Sequence, residues 1–470
     1  MKKVFLFIFG SLLAGCVSAQ SITQKLQQAF QQFESDSQLK HAISSFYVID
    51  AGNGQVVFDK NSAIGLSPAS TQKIITSVTA FELLGKDYRY KTYIGYDIGI
   101  EKGELKGNLY FDGGGDPTLG SRRWESTTEL SVFKFISVVL RRNAIKKIKG
   151  DIWVNDIQFG INPVPDGWIW EDIGNYYGAG ARGLNWCENQ YDLFLKPGQV
   201  PGQITEVIKT DPKLIDYKIR NFITTGEKGS GDNGYIYSAP YSNNGLATGT
   251  IPAGGDSFII SGAVPNPSKQ FASSLAQFFN KEKISFSNKV KLYSDSLFEK
   301  KGVRKMMLLL DSIQSPSLDS INYWFLKKSI NLYGEALLKT FSIKKYYFGN
   351  TDSGVVILKK FWKDKGLDEN ELNIYDGSGL SPLNRITTHA QVEILKYAKT
   401  KDWFQYFYNA LPEYNGMKMK SGTISDVKGF CGYHKAKDGK EYIFSFLVNN
   451  YSGKTSGVVN KMYKVLDVLK

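Results

Sequence analysis

The sequence predicts an α/β fold, in which helices pack against a sheet, with a large, mainly β region inserted into it. The first observation is the order of elements near the N-terminus, where a helical pattern, a strand hairpin and a second helix follow one another. The second is a change near Tyr90 to short β-like runs separated by glycine turns. The third is the return of helical patterns after about Val264. We therefore expect one α/β domain formed by residues 20–91 and 265–470, with an inserted β-rich region at 92–264.

Residues 1–19 have the layout of a secretory signal peptide. Two lysines precede an apolar run from Val4 to Ala14, and this run is too short to span a bilayer comfortably. Val17-Ser18-Ala19 predicts cleavage before Gln20, whereas Leu13-Ala14-Gly15-Cys16 is similar to a lipoprotein box that would leave Cys16 acylated. We favour cleavage after Ala19, because a helical pattern starts at once and leaves no tether. We therefore expect an exported, periplasmic protein.

Hydrophobic periodicity assigns the remaining elements in chain order. A helix is expected at 22–33, followed by a hairpin whose strands, 43–49 and 55–58, flank a turn at 51–54. In the inserted region we expect short strands, among them 93–98, 107–111 and 152–154, and one helix near 130–141. Helical patterns return at 267–280, 308–313, 319–328 and 355–365, and the chain ends with a strand at 417–423, a hairpin of 430–434 with 442–449, and a closing helix.

The charge balance indicates an anionic partner, since 58 Lys and Arg residues against 45 Asp and Glu residues leave a net charge of +13. The basic residues are scattered and no nucleic-acid-binding motif is present, so we expect cell wall or membrane rather than nucleic acid. The chain has three histidines, His41, His389 and His434, which are far apart in the sequence. We therefore do not expect a histidine triad or a zinc site. The cysteine spacing leaves open whether Cys187 and Cys431 pair.

The segment Ser67-Pro68-Ala69-Ser70-Thr71-Gln72-Lys73 carries the first candidate catalytic residues. An apolar run at helical spacing follows it, so Ser70 is expected at a helix start, where the helix dipole favours developing negative charge. Residues three apart share one helix face, so Lys73 can reach the Ser70 oxygen. A buried, cationic environment would lower the pKa of Lys73 and allow its amine to take the serine proton. In isolation the tetrad is also consistent with a simple N-cap at Ser70.

Ser329-Ile330-Asn331 is a second candidate, in a turn between two helical patterns. The Ser329 hydroxyl can relay a proton, and the Asn331 amide can hold a substrate carbonyl or Lys73. Taken alone, the same residues are also consistent with an ordinary polar turn between helices.

Lys420-Ser421-Gly422-Thr423 is a third candidate, in a segment that alternates like an edge strand. It presents a cation for a carboxylate, a hydroxyl beside it, a glycine that lets substrate approach, and the N–H of Thr423. The alternative is an edge strand that carries a protective lysine.

In this order the three segments resemble the motifs of penicillin-binding proteins and class A β-lactamases. The long insertion between Ser70 and Ser329 resembles the D-alanyl-D-alanine carboxypeptidase/endopeptidase group of low-molecular-mass penicillin-binding proteins. Further stretches similar to that group are Gly115-Asp116-Pro117-Thr118-Leu119, Gly150-Asp151-Ile152, Gly167-Trp168 and Asp376-Gly377-Ser378-Gly379-Leu380-Ser381. The chain departs from the family pattern at Ile330, at Ser421 in place of threonine, and at Pro382 where relatives often carry a basic residue.

The resemblance implies a penicillin-binding/β-lactamase-like transpeptidase domain, in which an antiparallel sheet flanked by helices carries the three motifs. It implies that Lys73 takes the proton of Ser70, which attacks the penultimate D-Ala carbonyl of a peptidoglycan stem peptide. The N–H groups of Ser70 and Thr423 would hold the oxyanion, and Ser329 would protonate the leaving amine. No metal or cofactor is required by this mechanism, and β-lactam antibiotics would be covalent inhibitors.

The same resemblance implies the substrate-binding residues. Lys420 with Ser421 would hold the terminal carboxylate, Gly422 would let the substrate approach, and Asn331 would orient substrate or Lys73. Two other functions remain open, a β-lactamase and a non-catalytic cell-wall-binding protein of the same fold. The balance of carboxypeptidase and endopeptidase action and the oligomeric state are also open.

An aromatic cluster in the inserted region is a candidate specificity site, containing Trp168, Trp170, Asp172 and Tyr177. If the insertion overhangs the cleft, Asp172 would pair with the free amine of the diamino acid in the stem peptide, and Tyr177 would pack along its methylenes. The alternative is that the aromatics only fill a small core and that Asp172 caps a turn.

Overall fold

The structure is a computed structural model that describes residues 20–287, 289–298, 306 and 308–470. The predicted signal peptide and the possible acylation site at Cys16 lie outside these residues. Within the described ranges, none of the helices is both long and apolar enough to cross a membrane.

The helices and strands are numbered in chain order. The helices are α1 Ile22–Glu34, α2 Lys73–Leu84, α3 Glu129–Arg142, α4 Trp170–Ile173, α5 Pro267–Lys281, α6 Tyr293–Phe298, α7 Leu318–Lys327, α8 Asn331–Tyr346, α9 Thr351–Asp364, α10 Thr388–Lys399, α11 Phe404–Ala410 and α12 Thr455–Leu466. The strands are β1 Ile43–Asp50, β2 Val56–Lys60, β3 Lys91–Tyr96, β4 Ile100–Glu101, β5 Glu104–Leu105, β6 Leu109–Asp112, β7 Lys147–Ile148, β8 Ile152–Asn155, β9 Gln190–Lys196, β10 Glu206–Asp211, β11 Lys218–Asn221, β12 Thr224–Gly226, β13 Asn233–Tyr237, β14 Asn244–Pro252, β15 Phe258–Ala263, β16 Val290–Leu292, β17 Leu308–Gln314, β18 Leu372–Asn373, β19 Arg385–Ile386, β20 Glu413–Tyr414, β21 Met417–Ile424, β22 Val427–Lys435 and β23 Glu441–Asn449.

The central sheet has the strand order β2-β1-β23-β22-β21-β20, and all of its neighbouring strands are antiparallel. Successive side chains of β1 point to opposite faces, as the pleat requires. Phe46 and Val48 pack in a core with α1 and α12, whereas Tyr47 and Ile49 pack in a second core with α2, α7, α8 and α10. The expected antiparallel sheet flanked by helices is therefore confirmed.

Helix α2 lies inside the second of these cores and is buried from Lys73 to Phe81. Helix α8 is buried in the same way from Asn331 to Ser342. Lys73 and Asn331 are the first residues of these two helices, and both are buried. The fold thus positions two of the three candidate segments at the N-terminal ends of central helices.

The inserted region contains two further β units. A five-stranded sheet of order β16-β8-β6-β3-β17 packs against α3 and α5. A second unit combines the sheet β10-β9-β15 with the sheet β11-β14-β12, whose β14 also pairs with β13, around a smaller apolar core. The expected large, mainly β insertion is present.

The predicted helix at 308–313 is wrong, because Leu308–Gln314 forms β17, which pairs antiparallel with β3. A short apolar run such as Leu308–Leu310 does not distinguish helix from strand by its periodicity. Pairing with the free edge of β3 makes this segment a strand. The helices α10 and α11 were not assigned from the sequence.

The packing of the segments after residue 264 is relevant to the predicted domain boundary there. Helix α5 and the strands β16 and β17 share the core of the five-stranded sheet rather than that of the central sheet. We propose that the inserted region extends to about Ser315 and not only to residue 264. Ser315 is a suitable limit because its hydroxyl accepts a hydrogen bond from the backbone N–H of Tyr90, at the start of the insertion.

Candidate active site

Ser70 lies in a single 3₁₀ turn, Ala69–Gln72, that leads directly into α2. Strand β21 passes very close to this turn. A Cβ atom added to Gly422 would lie 2.6 Å from the carbonyl oxygen of Pro68 and 2.9 Å from the backbone nitrogen of Ser70. Only glycine allows this approach, so the strand and the Ser70 turn together form one wall of the site.

Lys73 is fully buried and its Nζ has three polar neighbours. It lies 3.0 Å from Ser70 Oγ, 2.6 Å from Asn331 Oδ1 and 2.7 Å from the carbonyl oxygen of Ser378. Burial, followed by the nearby charge of Lys420, holds the pKa of Lys73 well below its usual range. A neutral amine would donate its two hydrogens to Asn331 and Ser378 and offer its lone pair to the Ser70 hydroxyl. This is the arrangement that a general base for Ser70 requires.

Two buried carboxyl groups, for which the sequence predicts no role, lie behind Lys73. Asp376 Oδ1 accepts hydrogen bonds from Gln72 Nε2 at 3.0 Å and from the Gly379 N–H at 2.8 Å. Glu335 accepts the Gly377 N–H on both oxygens, and burial raises the pKa of Glu335 to about 8. Together they hold residues 376–379, so that the Ser378 carbonyl faces Lys73. A signal for Glu335 was present, because it lies one helical turn after Asn331 on the same face.

Ser329 lies between α7 and α8 with a backbone φ of 57°. A non-glycine residue in this region is strained, and such residues often mark functional sites. Asn331 begins α8, where its Oδ1 contacts Lys73 and its Nδ2 donates to the Tyr177 carbonyl oxygen at 2.8 Å. Asn331 therefore connects the candidate base to the inserted region.

Lys420 and Thr423 lie on the part of β21 that forms the open edge of the central sheet, because β20 pairs only with Met417 and Lys418. Lys420 is 2% exposed, and its Nζ donates to the Ser421 carbonyl oxygen at 2.7 Å. Burial lowers the pKa of Lys420 to about 7.

Another lysine at the site, Lys428 of β22, is not predicted from the sequence. Its Nζ donates to Ser421 Oγ at 2.7 Å and to Thr423 Oγ1 at 2.8 Å. The register of β22 against β21 sets this contact. That register cannot be read from the sequence of either strand.

A cavity of about 440 Å³ brings most of the candidate residues together. Its lining includes Ser70, Ser329, Asn331, Thr423 and Asp172. Lys73, Lys420, Ser421 and Gly422 lie next to this lining through their contacts and strand positions.

The inserted region contributes one side of the cavity. Asp172 is half-buried there, and burial, with Glu171 nearby, raises its pKa to about 6. Tyr177 also lines the cavity. Trp168 instead donates from Nε1 to Asp376 Oδ2 at 2.8 Å, whereas Trp170 is 53% exposed. Of these aromatic residues, Trp168 thus has a structural contact and Tyr177 faces the site.

Two further findings concern the His, Cys, Asp and Glu side chains in the described part of the chain. Among those residues, no three His, Cys, Asp or Glu side chains lie together as a metal site would require. Cys187 and Cys431 are both free, so they do not pair with each other.

The chain matches the model of the D-Ala-D-Ala carboxypeptidase 3 (S13) family over residues 26–413. It is 26% identical over 461 residues to the D-alanyl-D-alanine carboxypeptidase of Actinomadura sp. (strain R39), covering 91% of this chain and 82% of that protein. It is 22% identical over 427 residues to D-alanyl-D-alanine carboxypeptidase DacB of Haemophilus influenzae, covering 87% of this chain and 85% of the relative.

The crystal structure of penicillin-binding protein 4 (dacB) from Haemophilus influenzae has the same fold. It superimposes with a TM-score of 0.79 at 20% identity, covering 94% of this chain and 98% of that one. The family match extends over most of the chain, and it includes the Ser70, Lys73, Ser329 and Asn331 positions. This chain belongs to the D-Ala-D-Ala carboxypeptidase 3 (S13) family and is a serine-type peptidase.

Proposed function

We propose that this enzyme hydrolyses peptidoglycan stem peptides that end in D-Ala-D-Ala, through an acyl-enzyme on Ser70. The observation that carries the proposal is the Lys73 amine, buried 3.0 Å from Ser70 Oγ with its pKa held well below the usual range by burial. Lys73 takes the hydroxyl proton while Ser70 Oγ attacks the penultimate D-Ala carbonyl. The N–H groups of Ser70 and Thr423 stabilise the oxyanion.

The remaining steps use the other two segments. Ser329 passes a proton to the amine of the terminal D-Ala, which leaves as the peptide bond breaks. Lys420 and Ser421 hold the terminal carboxylate, and Asn331 orients Lys73 and the substrate. Water then attacks the Ser70 ester, releasing the shortened peptide and restoring the serine hydroxyl.

The proposal extends to inhibitors, substrates and location. β-Lactams acylate Ser70 because they present a strained amide and a carboxylate to the same groups. The complex of Haemophilus influenzae penicillin-binding protein 4 with a β-lactam supports this step. D-Ala-containing cross-links are the corresponding endopeptidase substrates. The enzyme acts in the periplasm after export by residues 1–19.

Labelled penicillin tests the central step. We expect a covalent adduct on the peptide that contains Ser70, identified by mass spectrometry, and release of D-Ala from a peptide ending in D-Ala-D-Ala. Ser70→Ala should abolish both, and labelling that survives this change would refute the assignment. An adduct that persists favours a DD-peptidase, whereas rapid turnover of penicillin favours a β-lactamase.

We also propose that Asp172 binds the free amine of the diamino acid in the stem peptide. Asp172 lines the same cavity as Ser70, and Tyr177 lies beside it in that lining. An ammonium group would keep the Asp172 carboxylate ionised, while the Tyr177 ring would cover the methylenes next to the amine.

Asp172→Asn separates this role from a structural one. For stem peptides with the free amine, kcat/KM should fall. The fall should correspond to a loss of about 1–3 kcal/mol of transition-state binding, the usual cost of leaving a charged partner unpaired. Acylation by penicillin, which lacks the diamino acid, should be almost unchanged. Asp166→Asn, in the same region but outside the cavity lining, is the matched control. Equal losses on both substrates, or no loss, would show that Asp172 is structural.

A further inference from the structure

Lys428 is a buried cation beside the active-site strand. It lies on β22 directly opposite Thr423, is 7% exposed, and its Nζ lies 4.7 Å from the centre of the Phe430 ring. Its Nζ hydrogen-bonds Thr423 Oγ1 across the strand pair at 2.8 Å and Ser421 Oγ on the diagonal at 2.7 Å. Both of these partners are neutral hydroxyl groups.

The charge of Lys428 lacks a counter-charge in the part of the chain that the structure describes. None of the ion pairs among those residues includes Lys428, and burial is the one cause that shifts its pKa, which it lowers to about 8. Taking an unpaired ammonium group out of water costs free energy. Such a cation is therefore well suited to an anion that arrives from outside the protein.

The two hydrogen bonds also determine how Ser421 and Thr423 can be used. An ammonium group only donates, so both hydroxyl oxygens act as acceptors toward Lys428. Each hydroxyl keeps its own hydrogen, which remains available to a second acceptor. Ser421 and Thr423 are two residues apart on one strand, so their side chains share a face, and Thr423 lines the cavity with Ser70.

We propose that Lys428 is a positioning residue of the carboxylate site: it holds the Ser421 and Thr423 hydroxyls as hydrogen-bond donors and adds positive charge beside Lys420 for the terminal carboxylate of the substrate. This inference rests on the proposed DD-peptidase function. The carboxylate site then consists of two lysines and two hydroxyls on neighbouring strands rather than of the Lys420 segment alone.

The test compares two substrates that differ only at the proposed contact. One is a peptide ending in D-Ala-D-Ala with a free carboxylate, and the other is the same peptide with a terminal carboxamide. Lys428→Met should lower kcat/KM for the acid about 10- to 100-fold, the range expected for losing a charge-assisted interaction, and leave the amide within about 3-fold. Lys428→Arg keeps the charge and should restore most of the preference for the acid.

The control is Lys435→Met, at the exposed end of the same strand, where the side chain is 68% exposed. It should change neither substrate. If Lys428→Met does not fold, as judged by thermal unfolding, Lys428→Gln replaces it, since glutamine keeps a hydrogen-bond donor without charge.

The ratio of kcat/KM for acid and amide decides the outcome. A large fall in this ratio in Lys428→Met or Lys428→Gln supports the role of Lys428. An unchanged ratio, whether or not both activities fall together, overturns it and makes Lys428 a structural residue of the sheet. A wild-type enzyme that hydrolyses neither peptide would instead refute the proposed function.

Discussion

Three lysines near Ser70 have different surroundings and therefore different proposed uses. Lys73 is enclosed by oxygen acceptors, and both burial and the charge of Lys420 favour its neutral form. Lys420 and Lys428 lie on neighbouring strands, where burial lowers their pKa values to about 7 and about 8. A neutral amine suits a base, whereas the proposed anionic substrate would favour the charged forms of the two strand lysines.

The pH dependence of kcat/KM for a free-acid peptide should reflect these values, because kcat/KM reports the free enzyme. Activity should rise with pH as Lys73 loses its proton. It should fall above about pH 7, because the proposed contact with the carboxylate requires protonated Lys420, whose pKa is lowered to about 7. Steady-state kinetics between pH 5 and 9 would be measured with the acid and amide peptides.

The falling limb can be assigned by substitution. Lys420→Arg keeps a charge that does not titrate in this range, so the limb should move to higher pH, towards the value of about 8 for Lys428. The amide substrate should lack the limb altogether. A limb that stays in place in Lys420→Arg would show that another group controls it.

At the scale of elements, the site depends on how closely β21 approaches the turn before α2. The backbone of Gly422 lies against Pro68 and Ser70, so the strand proposed to bind the carboxylate and the serine proposed to attack are held in one geometry. Helix α8 is fixed to the 376–379 segment by a similar approach, since a Cβ on Gly334 would lie 2.8 Å from the Gly377 carbonyl oxygen. Glycines at these crossings thus set distances inside the site.

Gly422→Ala should separate the strand from the Ser70 turn, because the new methyl group would lie 2.6 Å from the Pro68 oxygen. Displacements of this kind cost large factors in rate, and we expect penicillin acylation to slow by at least about 10-fold. Gly99→Ala is the control, since a Cβ there meets nothing within 4 Å and the backbone needs no left-handed conformation. Normal acylation by Gly422→Ala would mean that the strand is free to move away without harm.

At the scale of the whole molecule, the inserted region helps to build the site. Trp168 donates to Asp376, and Asn331 donates to the Tyr177 carbonyl oxygen. Lys339 of α8 also donates to the carbonyl oxygens of Asn162 and Ala181 at 2.8 and 2.9 Å. These contacts join the inserted region to the elements that hold Lys73, so changes in the insertion are expected to affect chemistry as well as substrate choice.

Trp168→Phe tests this connection. It removes one hydrogen bond to the buried Asp376 carboxylate, which should lower the free energy of unfolding by about 1–3 kcal/mol, and the less firmly held 376–379 segment should slow acylation. Denaturant unfolding and penicillin acylation are the measurements. Trp170→Phe is the matched control, because Trp170 is 53% exposed and lacks this partner. Equal stability of the two variants would contradict a structural role for the Trp168 contact.

The sequence alone determined features that depend on local order. Helical and strand periods located α1, α2, α8 and the hairpin of β22 with β23, because burial of one face imposes those periods on neighbouring residues. Ser70 and Lys73 were recognisable as a pair, since residues three apart share a helix face whatever the rest of the fold does.

Only the tertiary structure decided what depends on distant partners. Leu308–Gln314 forms a strand because it pairs with the edge of β3. Residues of α5, β16 and β17 share the core of the five-stranded sheet, which is why we propose that the inserted region extends past residue 264. Asp376 contacts Gln72, which is distant in the chain, and Lys428 contacts Thr423 through the register of two neighbouring strands. Periodicity describes which face of an element is apolar, but it carries no information about which other element meets that face.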